Sequence, residues 1–245
     1  MLTLVLLPGM DGTGDLFTSF MHALGAEFNI IVVRYPTDKT LNYRELLAHA
    51  RRSLPTDEPY FILGESFSGP LAISLAAETP SHLCGVILCA TFARNPRPYL
   101  TPFKSLLAVA PVHWMPPAVL SWALLGAFGT RMLRSDIAQA VGRVAPAVLR
   151  TRLQMVASLD VSAQLSVLVV PCLYLQATHD RLVPESAAEH IKSILPQVSL
   201  VRINAPHCLL QTVPENAASV VSTFLRESIL LKQAADIRHN PMQFK

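Results

Sequence analysis

Three short stretches of this sequence hold residue types able to do chemistry together. Ser66 stands in Gly64-Glu65-Ser66-Phe67-Ser68-Gly69, Asp180 in Thr178-His179-Asp180-Arg181-Leu182-Val183-Pro184, and His207 in Ala205-Pro206-His207-Cys208. A serine hydroxyl is a poor nucleophile at neutral pH; it needs an adjacent base, and the base needs an acid to orient it. Each stretch also has an ordinary structural reading. The hexapeptide suits any tight strand-to-helix turn, the aspartate could cap a helix starting near Pro184, and a lone histidine after a strand can be structural. Taken together, at loops that a parallel sheet would bring to one edge, the chemical reading is favoured. His179 is a rival base and Asp160 a rival acid, both ranked lower. His179 would occupy the acid's own loop, and Asp160 stands at the end of the helical insertion.

A fourth stretch, Pro8-Gly9-Met10-Asp11-Gly12-Thr13-Gly14, contains neither GxxxxGK[ST] nor GxGxxG, so a phosphate cradle is not indicated. Beside the serine it could present a backbone N–H to a developing oxyanion. The expected donors are the N–H of Met10 and that of Phe67, the residue after the nucleophile.

The elements that must position these residues are legible from the pattern. Apolar runs at 2–7, 28–34, 60–63, 84–89, 172–176 and 198–203 alternate with helical patterns at 16–26, 42–53, 69–78, 184–195 and 214–231. The alternation predicts βαβ units and a mostly parallel sheet of about six strands between two helical layers. Runs apolar at nearly every position agree with burial on both faces. The rhythm breaks once, at residues 95–165. There seven prolines and several amphipathic fragments, the best at 133–144 and 147–159 with arginines on an outer face, predict an insertion of helices. Residues 1–94 and 166–245 then form the core domain.

Composition bounds the remaining possibilities. Apolar residues make up 51% of 245 residues and charged residues 15%, which excludes a disordered chain. The net charge of +3 is spread without a basic block, so no nucleic-acid partner is indicated. Cys84, Cys89, Cys172 and Cys208 have no metal-ligand spacing, and the first three sit in or beside apolar runs. Reduced, buried thiols and a cytoplasmic location are the expectation. The apolar N-terminus lacks a basic segment before it and reads as a first strand, not a secretory signal. Residues 105–130 carry no charge, but Pro111, Pro116 and Pro117 leave no uninterrupted piece long enough to span a membrane.

With LLPGMDGTG, GESFSG, THDRLVP and APHCLLQTVPE on the page, the chain resembles the α/β-hydrolases of the serine esterase/lipase type over nearly its whole length. The order Ser66, Asp180, His207 is the chain order of that arrangement. Ser68 departs from the G-x-S-x-G pattern in its last place, and Leu7-Pro8-Gly9 stands where many relatives carry His-Gly. The sequence begins at what would be the family's third strand, so a small sheet is expected. The resemblance implies a three-layer α/β-hydrolase fold in which residues 95–165 form a cap over the active site, with Trp114, Trp122 and Phe128 among the candidates to line an acyl pocket. Those side chains could equally pack the cap onto the body. It further implies hydrolysis of small-molecule carboxylic esters of apolar acyl groups, with no metal or organic cofactor. Thioester hydrolysis or acyl transfer would use the same triad, and a non-catalytic ligand-binding module is the reading from another class. A dehalogenase of this architecture would need an aspartate where Ser66 stands. Peripheral membrane contact through the cap is also compatible with its charge-free stretch at 105–130.

Overall fold

A computed structural model of the chain describes residues 1–99 and 116–239. Six strands, β1 (Leu2–Leu7), β2 (Phe28–Val32), β3 (Tyr60–Glu65), β4 (Leu83–Cys89), β5 (Cys172–Ala177) and β6 (Ser199–Ile203), form one sheet in the order β2-β1-β3-β4-β5-β6. Every neighbouring pair is parallel. The apolar runs of β3, β4 and β5 are buried at every position, as expected of strands covered on both faces. The edge strands β2 and β6 are only partly covered.

Because successive side chains point to opposite faces, each strand feeds two cores. Val5, Leu7, Ile62, Val86 and Leu88 join one core with α2 (Tyr43–Arg51), α3 (Gly69–Ala77) and α8 (Glu185–Ile194). Leu4, Leu6, Phe61, Leu63 and Ile87 join the other with α1 (Thr18–Leu24) and α10 (Pro214–His239). The result is the three-layer α/β architecture read from the sequence. Local signals set the helix ends. Asn42 and Glu45 close a reciprocal capping box at the start of α2, with bonds of 2.8 and 3.1 Å. Helix α3 is apolar around nearly its full circumference because only Ala77 of its residues escapes full burial.

Between β4 and β5 lie α4 (Pro117–Leu125), α5 (Arg131–Gly142), α6 (Pro146–Ser158) and α7 (Ser162–Ser166). The first three rest on loops at the carboxyl edge of the sheet. Ala145 N–H donates to Thr37 at 2.7 Å and Cys208 N–H to Leu124 at 3.1 Å, while Leu125 and Ile137 pack on Cys208. Helix α7 instead belongs to the sheet layers, since Val161 and Leu165 join the core that holds α3 and α8. An antiparallel bridge, Arg94 to Asp160, joins the two ends of the helical segment. The four cysteines are buried and unpaired with one another. Among the described residues no helix is long and apolar enough to cross a membrane. A short α9 (Leu209–Thr212) follows the loop after β6.

Candidate active site

The chain leaves β3 at Glu65 and turns through a single 3-10 turn, Ser66–Ser68, straight into α3. Ser66 takes φ +50°, a left-handed conformation that a non-glycine residue holds only when its surroundings enforce it. Those surroundings are visible. A Cβ on Gly64 would stand 2.7 Å from the Ser68 carbonyl and 2.8 Å from the Ala72 Cβ, and one on Gly69 would stand 2.0 Å from Thr91 Oγ1. Thr91 Oγ1 donates to the Ser66 carbonyl, and Tyr174 O–H donates to the Thr91 carbonyl at 2.6 Å. Ser68, the departure from the usual motif, is fully buried. Its hydroxyl donates to the Pro8 carbonyl and lies 2.8 Å from the Tyr35 hydroxyl, so the extra side chain ties the turn to the glycine-rich loop after β1.

The loops after β5 and β6 bring the other two residues to Ser66. Ser66 Oγ lies 2.8 Å from His207 Nε2, and His207 Nδ1 lies 2.7 Å from Asp180 Oδ2. A carboxylate only accepts, so Nδ1 carries the proton and Nε2 is left to accept from the serine hydroxyl. The other Asp180 oxygen accepts the N–H groups of Leu182 and Val183, each at 2.8 Å. The aspartate does not cap the following helix, whose N-cap is Pro184; one of its oxygens holds the turn after β5 and the other the histidine. The His207 and Asp180 side chains are 6% and 4% exposed. Burial pulls the His207 ring toward the neutral form, but the Asp180 carboxylate, through charge and hydrogen bond, and the Glu65 carboxyl outweigh it and hold the ring above its ordinary value. The rivals are elsewhere: His179 pairs with Asn204 at 2.9 Å, and Asp160 accepts the Ser162 N–H at 2.9 Å.

The glycine-rich loop passes directly beside the serine, because a Cβ on Gly9 would stand 3.9 Å from Ser66 Cβ. Met10 follows, half-buried, its side chain against Val144, Val148 and Leu149. Phe67 is buried in the middle of the 3-10 turn. The three aromatic pocket candidates lie differently. Trp122 is 60% exposed, with the Arg181 guanidinium 4.5 Å over its ring, and Phe128 rests against the His179 ring at 5.6 Å. Trp114 falls outside the described residues.

Two charged residues near the serine were not singled out from the sequence. Glu65 is 7% exposed and accepts from Gln211 Nε2 at 2.9 Å; burial pushes its carboxyl up to about 7, against the Gln211 bond. Its only sequence signal was an acid at the end of an otherwise apolar strand. Arg152 corrects an expectation, since the arginines of this segment were read as an outer face. It is 3% exposed, and its hydrogen bonds go to backbone carbonyls, which no residue pattern reveals.

Residues 37–207 match the family model described as serine aminopeptidase, S33. The chain belongs to this family, and with it to the α/β-hydrolase superfamily. Among curated proteins it is 31% identical over 133 residues to phytyl ester synthase 1 of Arabidopsis thaliana, a match covering 50% of this chain and 18% of that protein. It is 25% identical to a putative carbamate hydrolase RutD of Caulobacter, over 91% of this chain and 90% of that one. Among solved structures, a thermophilic esterase from Thermogutta terrifontis superimposes with a TM-score of 0.78 at 21% identity, covering 93% of this chain and 90% of the other. That likeness establishes the fold.

Proposed function

We propose that the chain is a serine hydrolase that cleaves carboxylic esters of apolar acyl groups through an acyl-enzyme. The observation that carries this reading is the unbroken line Ser66 Oγ, His207 Nε2, His207 Nδ1, Asp180 Oδ2, with contacts of 2.8 and 2.7 Å. Ser66 attacks the acyl carbonyl as His207 takes its proton, and Asp180 holds the ring in the required tautomer and stabilises its charged form. The N–H groups of Met10 and Phe67 receive the oxyanion. His207 then protonates the leaving alcohol, and a water activated by the same ring releases the acid. Helices α4–α6, seated on the loops around Ser66, act as the cap of residues 95–165, and the apolar sequence of α4 favours an apolar acyl group.

Turnover of p-nitrophenyl esters from acetate to palmitate, with Ser66→Ala beside the parent, tests the reading. It predicts hydrolysis by the parent with an optimum above acetate, lost in the variant. A folded parent inert toward every ester would overturn it. Acyl transfer to an alcohol is a second reading, favoured by the similarity of half the chain to a phytyl ester synthase. Added long-chain alcohol diverting the acyl group from water to ester would support it.

A further inference from the structure

Arg152 reaches down from α6 into the glycine-rich loop, and the loop is shaped to receive it. Its Nη1 donates to the carbonyls of Met10 at 2.8 Å and Asp11 at 2.9 Å, and its Nη2 to that of Pro36 at 2.9 Å. A Cβ on Gly12 would stand 2.6 Å from Nη1, so the glycine marks the space the guanidinium fills. The guanidinium also lies 5.6 Å over the Tyr35 ring. Burying so large a cation is costly unless its charge is answered. Burial lowers its proton affinity, and the neighbouring Asp11 carboxylate and Tyr35 work against that.

The geometry couples this contact to the oxyanion donor through two rigid peptide planes. The Asp11 carbonyl, held by Arg152, shares a plane with the Gly12 N–H. That N–H donates to the Gly9 carbonyl at 3.1 Å, and the Gly9 carbonyl shares the next plane with the Met10 N–H, which points the opposite way. The near end of the loop is fixed independently, where Ser68 donates to the Pro8 carbonyl.

We propose that Arg152 is a positioning residue of the active site: by holding the Met10 and Asp11 carbonyls it aims the Met10 N–H at the oxyanion, so that helix α6 completes the oxyanion hole as well as covering it. This rests on the proposed function. A purely mechanical strut between α6 and the sheet would stabilise the fold but would not discriminate transition state from ground state.

The test compares Arg152→Met and Arg152→Lys with Arg143→Ala. Arg143 is another arginine of the helical segment, exposed and paired with Asp15, with no contact to the Met10 carbonyl. On the p-nitrophenyl ester the parent turns over fastest, Arg152→Met is expected to lose about 10² in kcat, the scale of one misplaced oxyanion donor. KM should stay within about threefold. Inhibition by an alkyl boronic acid, whose tetrahedral serine adduct places an oxygen in the hole, should weaken by the same factor. Arg152→Lys should recover part of both, and Arg143→Ala should change neither. If Arg152→Met does not fold, Arg152→Lys and methylguanidinium rescue of Arg152→Ala carry the same comparison. Unchanged kcat, or losses that track thermal stability while boronate affinity holds, would overturn the proposal. A parent without esterase activity, or an active Ser66→Ala, would instead sink the active-site reading on which it rests.

Discussion

Gln211 and Glu65 meet at 2.9 Å, amide donating to carboxyl, in a buried position one residue before Ser66. The acid is pushed up to about 7 first by burial, with Asp11 adding to the rise, while the Gln211 bond, the His207 ring and the Gly9 backbone oppose it. Among the described residues Gln211 Oε1 is buried without a partner.

A stability prediction follows from the sign of that shift. The folded protein binds the Glu65 proton more tightly than the unfolded chain does, so stability is full below the unfolded value and declines as pH rises through about 7. The loss should approach about 3 kcal/mol for a rise of this size. Glu65→Gln removes the titration. Urea unfolding at pH 5 and pH 8 should therefore show the variant gaining on the parent at the higher pH. A difference that does not change with pH would show that Glu65 is ionised throughout.

The Ser68 hydroxyl accounts for the departure from the usual elbow sequence. It satisfies the Pro8 carbonyl and meets the Tyr35 hydroxyl at 2.8 Å in a fully buried setting. Restoring the small residue of the common pattern with Ser68→Gly, or using Ser68→Ala, should cost about 1–3 kcal/mol through buried groups left unpaired. Tyr35→Phe should cost less, because it leaves the Ser68 bond to Pro8 in place. Equal stability of Ser68→Ala and the parent in urea would show that this strut contributes nothing.

Catalysis by His207 requires its neutral ring, and that ring is held above its ordinary value. The acid limb of kcat/KM should accordingly fall at a pH above about 6.5, the value of a free imidazole. Asp180→Asn removes the largest contribution that raises it, so the limb should shift downward while kcat falls by about 10⁴. A limb that stays in place in Asp180→Asn would assign it to another group.

Much of this molecule could be read from its sequence because the central strands are buried on both faces and therefore apolar without interruption. The runs 2–7 and 84–89 became β1 and β4 within a residue at either end. The helix expected at 16–26 was overextended: 3-10 turns at Asp15–Phe17 and Gly25–Glu27 flank a seven-residue α1, beside glycines at φ +73° and +70°. Helix α10 runs on to His239, past the end of its apolar pattern, because Lys232-Gln233-Ala234-Ala235-Asp236 gives no stripe to follow yet favours a helix. Ser66, Asp180 and His207 were legible because each follows a strand and their order fits one arrangement. Arg152 was not, since its partners are carbonyls that every residue carries. Glu65 was hidden inside the motif that drew attention to its neighbour.

The central claim is that Ser66 is a nucleophile activated by His207, and fluorophosphonate labelling reads it most directly. The account predicts one adduct per chain, located on the Ser66 peptide by mass spectrometry. It should be absent in Ser66→Ala and slowed by at least about 10³ in His207→Ala. An adduct on another residue, or equal labelling rates in the parent and His207→Ala, would contradict it.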